Sequence, residues 1–187
     1  MATSGEAKID LAKLIIKPLD PSLDRAAFSC GVRTIDNWFR NNARKHHEAY
    51  KVRTNVGLYE GRIVGFYSLA AAGSAAEAIS EEARQMFERV KVAPCIYLSM
   101  IGVDKQFQGK GIGKTLMVDA MRTTLRVAEM VGVYALILDA LDKEVAKRYE
   151  RWGFEYFIEG ALRMYIPLSQ IREAAAQSIT AKAAASA

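Results

Sequence analysis

Residues 106–115, QFQGKGIGKT, constrain the chain most, because of what stands on either side of them. Before them runs CIYLSMIGV, residues 95–103, apolar enough for a strand buried on both faces. After them Ile112, Leu116, Ala120, Leu125 and Ala128 trace a helical stripe that reaches about Val131, with Gly132 in the usual terminating place. YALILDA, residues 134–140, reads as a second buried strand. Strand, glycine-rich turn, helix and strand in that order imply a right-handed parallel crossover from residue 95 to 140.

The remaining elements are arranged around this unit. LIIKP, residues 14–18, reads as a short strand stopped by Pro18, and DPSLDRAAF opens with turn chemistry and then reads as helical. Thr34 is placed to N-cap a helix that carries Ile35, Trp38, Phe39 and Ala43 at helical spacing. VRTNVGLY and RIVGFYSLAAA form a hairpin about Glu60 and Gly61. Residues 75–90 read as one helix, and Pro94 precedes the central strand. Asp142 can cap a helix running to Trp152 with Gly153 as its stop. FEYFI and LRMYIPL read as closing strands. The expectation is one mixed α/β (α+β) domain over residues 13–168, with a flexible N-terminus at 1–12 and an Ala-rich tail at 169–187 that is a frayed helix or disordered.

With 187 residues, 51% of them hydrophobic, the chain supports one domain with a sizeable core. It contains no apolar run of the ~18 residues a spanning helix needs. Met1–Asp10 carries charge and lacks the apolar segment of a secretory signal. Cys30 and Cys95 are far apart with no Cys-x-x-Cys pair, which points to reduced thiols in a cytoplasmic protein and to neither a disulfide framework nor a zinc site.

The net charge of +5 is unevenly placed. Arg33, Arg40, Arg44, Lys45, Lys51 and Arg53 cluster, with His46 and His47 among them and only Asp36 and Glu48 opposing. Such a stripe can hold phosphates or can be a solvated helix face.

A glycine-rich turn opening a helix is an anion site, because its amides approach a ligand closely and the helix end adds partial positive charge. Lys105, Lys110 and Lys114 add to it. The plain alternative is a tight turn with solvated lysines. A P-loop requires four residues between its glycines, and Gly109 and Gly113 are separated by three, with Gln108 where glycine should stand. A dinucleotide fingerprint would put its third glycine at Lys114 or Leu116. The spacing that does fit is Gln-x-x-Gly-x-Gly: Gln108, Gly111 and Gly113.

On that motif, IGVDKQFQGKGIGKTLM resembles the acyl-CoA-binding segment of the GCN5-related N-acetyltransferase (GNAT) family. DKEVAKRYERWGF, with Asp142, Ala146, Tyr149, Gly153 and Phe154, resembles the family's following helix, although Asp142 stands where asparagine is commoner. The resemblance spans residues 14–168. It implies a central mixed, mostly antiparallel twisted sheet with a parallel strand–helix–strand unit and flanking helices. It implies acetyl-CoA as cosubstrate and no metal. The pyrophosphate would lie on Gln108, Gly109, Lys110, Gly111, Ile112, Gly113 and Lys114. The pantetheine arm would pair with Ile101, Gly102 and Val103, Asp142 would touch the cofactor, and Gly102 would allow a close approach to the strand. Tyr149 would be the general acid. By periodicity alone, Val145, Ala146, Tyr149 and Trp152 share a helix face, so Tyr149 can equally be a core aromatic. No general base stands out, and the histidine pair reads as a solvated face.

FSCGVRTIDNWFRNNARKHHEAY, with GRIVGFYSLAAAG, further resembles the acetyltransferase toxins of bacterial toxin–antitoxin pairs. Here LSMIGV puts Met100 where those toxins often carry arginine. This resemblance implies transfer of acetyl to the α-amine of aminoacyl-tRNA, a block of translation, a ribbon–helix–helix antitoxin as partner and a homodimer. An α-amine on charged tRNA is less basic than a lysine amine, which suits a site without a base. Arg33, Arg40, Arg44, Lys45, Lys51 and Arg53 would then contact tRNA phosphates. A small-molecule or protein N-acetyltransferase, or a non-catalytic acyl-CoA-binding module, fits the same motif.

Overall fold

The computed structural model describes residues 9–158 and 160–185, with side chains described up to residue 178. Residues 1–8 of the expected flexible N-terminus and the last two of the Ala-rich tail lie outside the described residues. Seven strands make one mixed sheet: β1 (Ile15–Pro18), β2 (Arg53–Tyr59), β3 (Arg62–Ala75), β4 (Val92–Val103), β5 (Ala135–Asp139), β6 (Glu155–Tyr156) and β7 (Arg163–Pro167). Their order across the sheet is β1-β2-β3-β4-β5-β7-β6. β4 and β5 are parallel, with Cys95–Leu98 facing Ala135–Leu138. β1 with β2, β5 with β7 and β6 with β7 are antiparallel. The expected mixed sheet with a parallel β4–helix–β5 unit is therefore present.

The chain forms two compact units. The first comprises the residues up to Ser68 together with Met100–Asp119. It holds α1 (Arg33–Asn41), α2 (Ala43–Glu48), β1, β2 and the glycine loop. Phe39 stacks on Phe66 with ring centroids 3.9 Å apart, and Phe28 meets both rings edge-on. Leu19, Val56 and Ile63 close the same cluster. Each such aromatic pair adds about 0.5–1.5 kcal/mol beyond the area it buries, so this cluster fixes how α1 lies on the strands.

The second unit comprises Leu69–Ser99 and the chain from Ala120 onward. It holds α3 (Ala76–Ile79), α4 (Glu81–Met86), α6 (Lys143–Glu150) and α7 (Leu168–Ala185). Ala76, Ile79, Ala83, Cys95, Ala135, Ile137 and Tyr165 form its core cluster. The crossover helix α5 (Ile112–Ala128) runs through both segments of chain.

Several local expectations are corrected. DPSLDRAAF is not helical. Asp20 Oδ1 accepts from the Ser22 amide at 2.9 Å and Asp24 Oδ1 from the Ala26 amide at 2.8 Å, so short acidic side chains hold turns instead. Thr34 is not the N-cap, because α1 begins at Arg33 after Val32, which supplies no side-chain cap. The single helix expected at 75–90 is two, because Ser80 caps a new one: its Oγ accepts from the Ala83 amide at 3.1 Å. The Ala-rich tail takes the helical one of its two expected forms as far as Ala185: α7 starts directly after β7, with Leu168 and Ile171 buried in its first turn.

Asp142 does cap α6, accepting from the Val145 amide at 2.8 Å in an extended conformation. Asp142→Ala removes that bond and is expected to lower stability by about 1 kcal/mol. A shift of the urea midpoint at unchanged slope is the measurement that checks it.

Candidate active site

The glycine loop is built from the end of β4. Asp104 turns the chain into a 3-10 turn, Lys105–Phe107, and its carboxylate accepts from the Gln106 amide at 3.0 Å. Gln108 returns to extended geometry, and its Nε2 donates to the Val103 carbonyl at 3.0 Å and the Cys30 carbonyl at 2.8 Å. Gly109 and Gly111 then take φ of 75° and 85°, the left-handed region that side chains disfavour. A Cβ on Gly111 would also come within 3.0 Å of Leu11 Cδ1.

This geometry puts a run of amides at the N-terminus of α5. Among the described residues, the amides of Gly109–Lys114 make no hydrogen bond to a loop, cap or side chain. The first amides of a helix have no partner within it, so they require a ligand or water. Gly113 sharpens the reading. A Cβ there would meet only Val103 Cγ2 at an ordinary 3.6 Å, so packing within the protein does not demand glycine. The residues fit a pyrophosphate: unpaired donors, a positive helix end, and Lys110 and Lys114 beside them. Ile112 can contribute only main chain, since its side chain is 1% exposed. Lys110 Nζ lies 5.8 Å from the Phe107 ring centroid.

Met100–Val103 continues β4 beyond its parallel ladder, which ends at Leu98 opposite Leu138. Ile101 and Val103 are half-buried. Gly102 is buried, and a Cβ there would press on Phe66, Cys30 and Ile35 at 3.2–3.4 Å, so the protein's own core also asks for glycine at this position.

Tyr149 and Asp142 belong to α6 in the second unit. Asp142 is exposed and spends one carboxylate oxygen on its helix. The Tyr149 ring packs against Trp152 and Phe154, with centroids 6.0 and 5.6 Å away. Its hydroxyl makes no hydrogen bond among the described residues. Burial raises the phenol to about 12, only partly offset by the Arg148 charge. The ring is anchored as a core aromatic would be, and the phenol stays protonated at any physiological pH.

The basic stripe divides. Arg40 donates from Nε and Nη2 to the Phe28 carbonyl at 2.9 and 2.7 Å and lies 3.8 Å from Asp36, so it is committed to its own turn. Arg44 pairs with Glu48 at 3.0 Å in the open, a weak bond that a phosphate can replace. Arg53 lies over the Tyr50 ring at 5.1 Å. Arg33, Lys45, Lys51 and Arg53 are exposed.

His47 is not a solvated residue. It is buried, and its Nδ1 accepts from the Thr54 amide at 3.1 Å. Burial, then the nearby Arg53 charge, lowers its pKa. Both cysteines are free and buried, which raises each thiol to about 11. No cluster of three or more His, Cys, Asp or Glu able to hold a metal exists among the described residues.

Two buried carboxylates were not singled out as site residues from the sequence. Asp36 accepts from the Cys30 amide at 2.7 Å and the Ser29 hydroxyl at 2.8 Å. Burial raises its pKa, but these hydrogen bonds outweigh it and the net shift is downward. Asp104, 3% exposed, accepts from the Ser29 amide at 3.2 Å as well as from Gln106. The signal for both was an acidic residue beside an apolar run, which also describes a surface cap.

Fold and loop together define an acyl-CoA-dependent N-acetyltransferase, and the chain belongs to the Acetyltransferase (GNAT) domain family, which matches residues 51–156. Within that family it is 32% identical over 176 residues to the probable toxin TacT of Sinorhizobium fredii, covering 89% of this chain and 97% of that protein. It is 32% identical over 150 residues to a tRNA-acetylating toxin of Mycobacterium tuberculosis, covering 80% and 89%. Its fold matches that of AtaT complexed with acetyl-methionyl-tRNAfMet at a TM-score of 0.77, with 23% identity over 85% of this chain and 97% of AtaT.

Proposed function

We propose that this chain transfers acetyl from acetyl-CoA to the α-amine of an amino acid charged on tRNA, acting in the cytoplasm as a toxin that blocks translation. The observation that carries the cofactor half is the row of unpaired amides from Gly109 to Lys114 at the start of α5. The acceptor half rests on the named activity of the Mycobacterium tuberculosis relative and on the exposed cations Arg33, Lys45, Lys51 and Arg53. On this reading a ribbon–helix–helix antitoxin is the partner that restrains the toxin, and the active form is a homodimer.

Each residue then has a chemical task. The loop amides, Lys110 and Lys114 hold the pyrophosphate. The main chain of Ile101–Val103 aligns the pantetheine arm and polarises the thioester carbonyl. The neutral α-amine attacks that carbonyl. A C–N bond forms, the C–S bond breaks, Tyr149 gives its proton to the leaving sulfur and the amine's proton passes to water. No histidine acts as base: His47 already accepts a hydrogen bond, and His46 packs edge-on against Trp38 at 5.9 Å. An α-amine of low basicity suits this arrangement.

The test is transfer of radiolabelled acetyl to total charged tRNA, run beside polyamines and peptides. Label is expected on aminoacyl-tRNA, released by alkaline hydrolysis of the ester. Label only on polyamines or peptides rejects the tRNA acceptor and leaves the small-molecule or protein reading.

A further inference from the structure

The Phe28–Gly31 turn and the cofactor loop are one hydrogen-bonded assembly. The Lys105 amide donates to the Ser29 carbonyl at 2.8 Å, and the Ser29 amide donates to Asp104 Oδ2 at 3.2 Å. Gln108 Nε2 donates to the Cys30 carbonyl at 2.8 Å. From the other side, Asp36 of α1 holds the Ser29 hydroxyl and the Cys30 amide. Arg40, also of α1, holds the Phe28 carbonyl. Three bonds thus strap the turn to the loop, and four strap it to the helix that starts the basic stripe. Asp104 is the side chain of the loop that reaches back to the turn. Its Oδ1 takes the Gln106 amide and lies 3.6 Å from Arg62 Nη2, while its Oδ2 takes the Ser29 amide. It is 3% exposed, and a polar group buried to that degree is costly unless it is hydrogen-bonded in this way.

We propose that Asp104 is a positioning residue for acetyl transfer. It fixes the cofactor loop to the turn that carries α1, so that seating of the CoA pyrophosphate orders the acceptor-side helix. This rests on the reading of Gly109–Lys114 as the pyrophosphate site. Asp104 touches neither substrate. It acts through Ser29 on one side and Gln106 on the other. Ligand bonds to the loop amides hold the loop still, and a loop held still keeps Lys105, Asp104 and Gln108 in register with Ser29 and Cys30. Coupling of this kind is reciprocal, so a correctly placed turn must also favour cofactor binding.

Asp104→Asn preserves size but puts an N–H donor where one of two acceptors stood. Calorimetry with coenzyme A is expected to show affinity about tenfold weaker, the ordinary loss for one bond to a charged group. Hydrogen–deuterium exchange supplies the readout that a merely structural role would not move. In the wild-type protein, coenzyme A should slow exchange at residues 109–114 and also at Ser29 and Cys30. In Asp104→Asn the first effect should persist at saturating coenzyme A and the second should be lost. Protection at 109–114 without protection at 29–30 in the wild type overturns the proposal and leaves the cofactor site intact. Wild-type affinity in Asp104→Asn overturns it too. Absence of protection at 109–114 rejects the cofactor site and the proposal together. If that variant fails to fold, the same exchange experiment on Asp104→Glu, which keeps both acceptors but shifts them, decides the matter: protection at 29–30 as in the wild type overturns the assignment to Asp104.

Discussion

Tyr149→Phe should lower turnover by about 10²-fold while acetyl-CoA affinity stays within about twofold. The substitution removes one oxygen and leaves the ring that packs on Trp152 and Phe154. The hydroxyl makes no hydrogen bond among the described residues, so its loss strands no partner, and stability should hardly change. Activity and stability are therefore separable at this position, where the ring is half-buried. A pH profile adds a second check. Only the protonated phenol can donate. Its pKa is raised to about 12, so the donor stays intact across the neutral and alkaline range and fails only as pH climbs towards 12. A rate that falls with an apparent pKa near the ordinary tyrosine value of about 10, and does so only when Tyr149 is present, would contradict the burial of the phenol. Unchanged turnover in Tyr149→Phe would remove the acid assignment altogether.

The second large effect lies in the loop. Gly111→Val should weaken acetyl-CoA binding by roughly 10²-fold or more, measured by calorimetry. Two costs combine. A side chain at φ 85° is strained by about 1–2 kcal/mol, and a β-branched one by more. The new Cβ must also displace Leu11, whose Cδ1 would be 3.0 Å away. Relief of either strain swings the amides on both sides of residue 111 out of line, and each lost bond to a charged ligand costs about 1.5–3 kcal/mol. Binding at wild-type strength would mean that the amides of Gly109–Lys114 do not hold the pyrophosphate.

The parts of this fold that sequence reveals are those with short-range causes. The hairpin about Glu60 and Gly61, the cap at Asp142 and the start of α5 at Ile112 each depend on residues within one turn of chain, and the structure has them where the pattern puts them. Failures arise where a local preference meets a competitor. Asp20 and Asp24 could have begun a helix, but their carboxylates close turns two residues on. The spacing of Ile35, Trp38, Phe39 and Ala43 gave no sign that helix geometry would pause at Asn42, between α1 and α2.

The site divides in the same way. Gln108, Gly111 and Gly113 announce the loop because their spacing is its geometry. Asp104 stays silent because its partner Ser29 is 75 positions away in sequence. The Arg33–Arg53 stripe looked uniform, yet Arg40 is absorbed by a carbonyl that no periodicity brings to mind. Gly102 was legible as a place of close approach, but the sequence could not say what approaches it.

His47 carries a consequence for handling and for habitat. Its Nδ1 must be unprotonated to accept from the Thr54 amide, so the neutral imidazole, with its proton on Nε2, is a component of the native fold. Its pKa is lowered on folding. The stabilisation it supplies is full above the ordinary histidine value of 6.5 and drains away as pH falls through the lower folded value. Acid therefore acts first on the junction of α2 with β2, at the end of the basic stripe. The glycine loop contains no histidine and has no such weakness. Once pH falls through that lowered value the glycine loop keeps its geometry while the packing of α2 on β2 weakens.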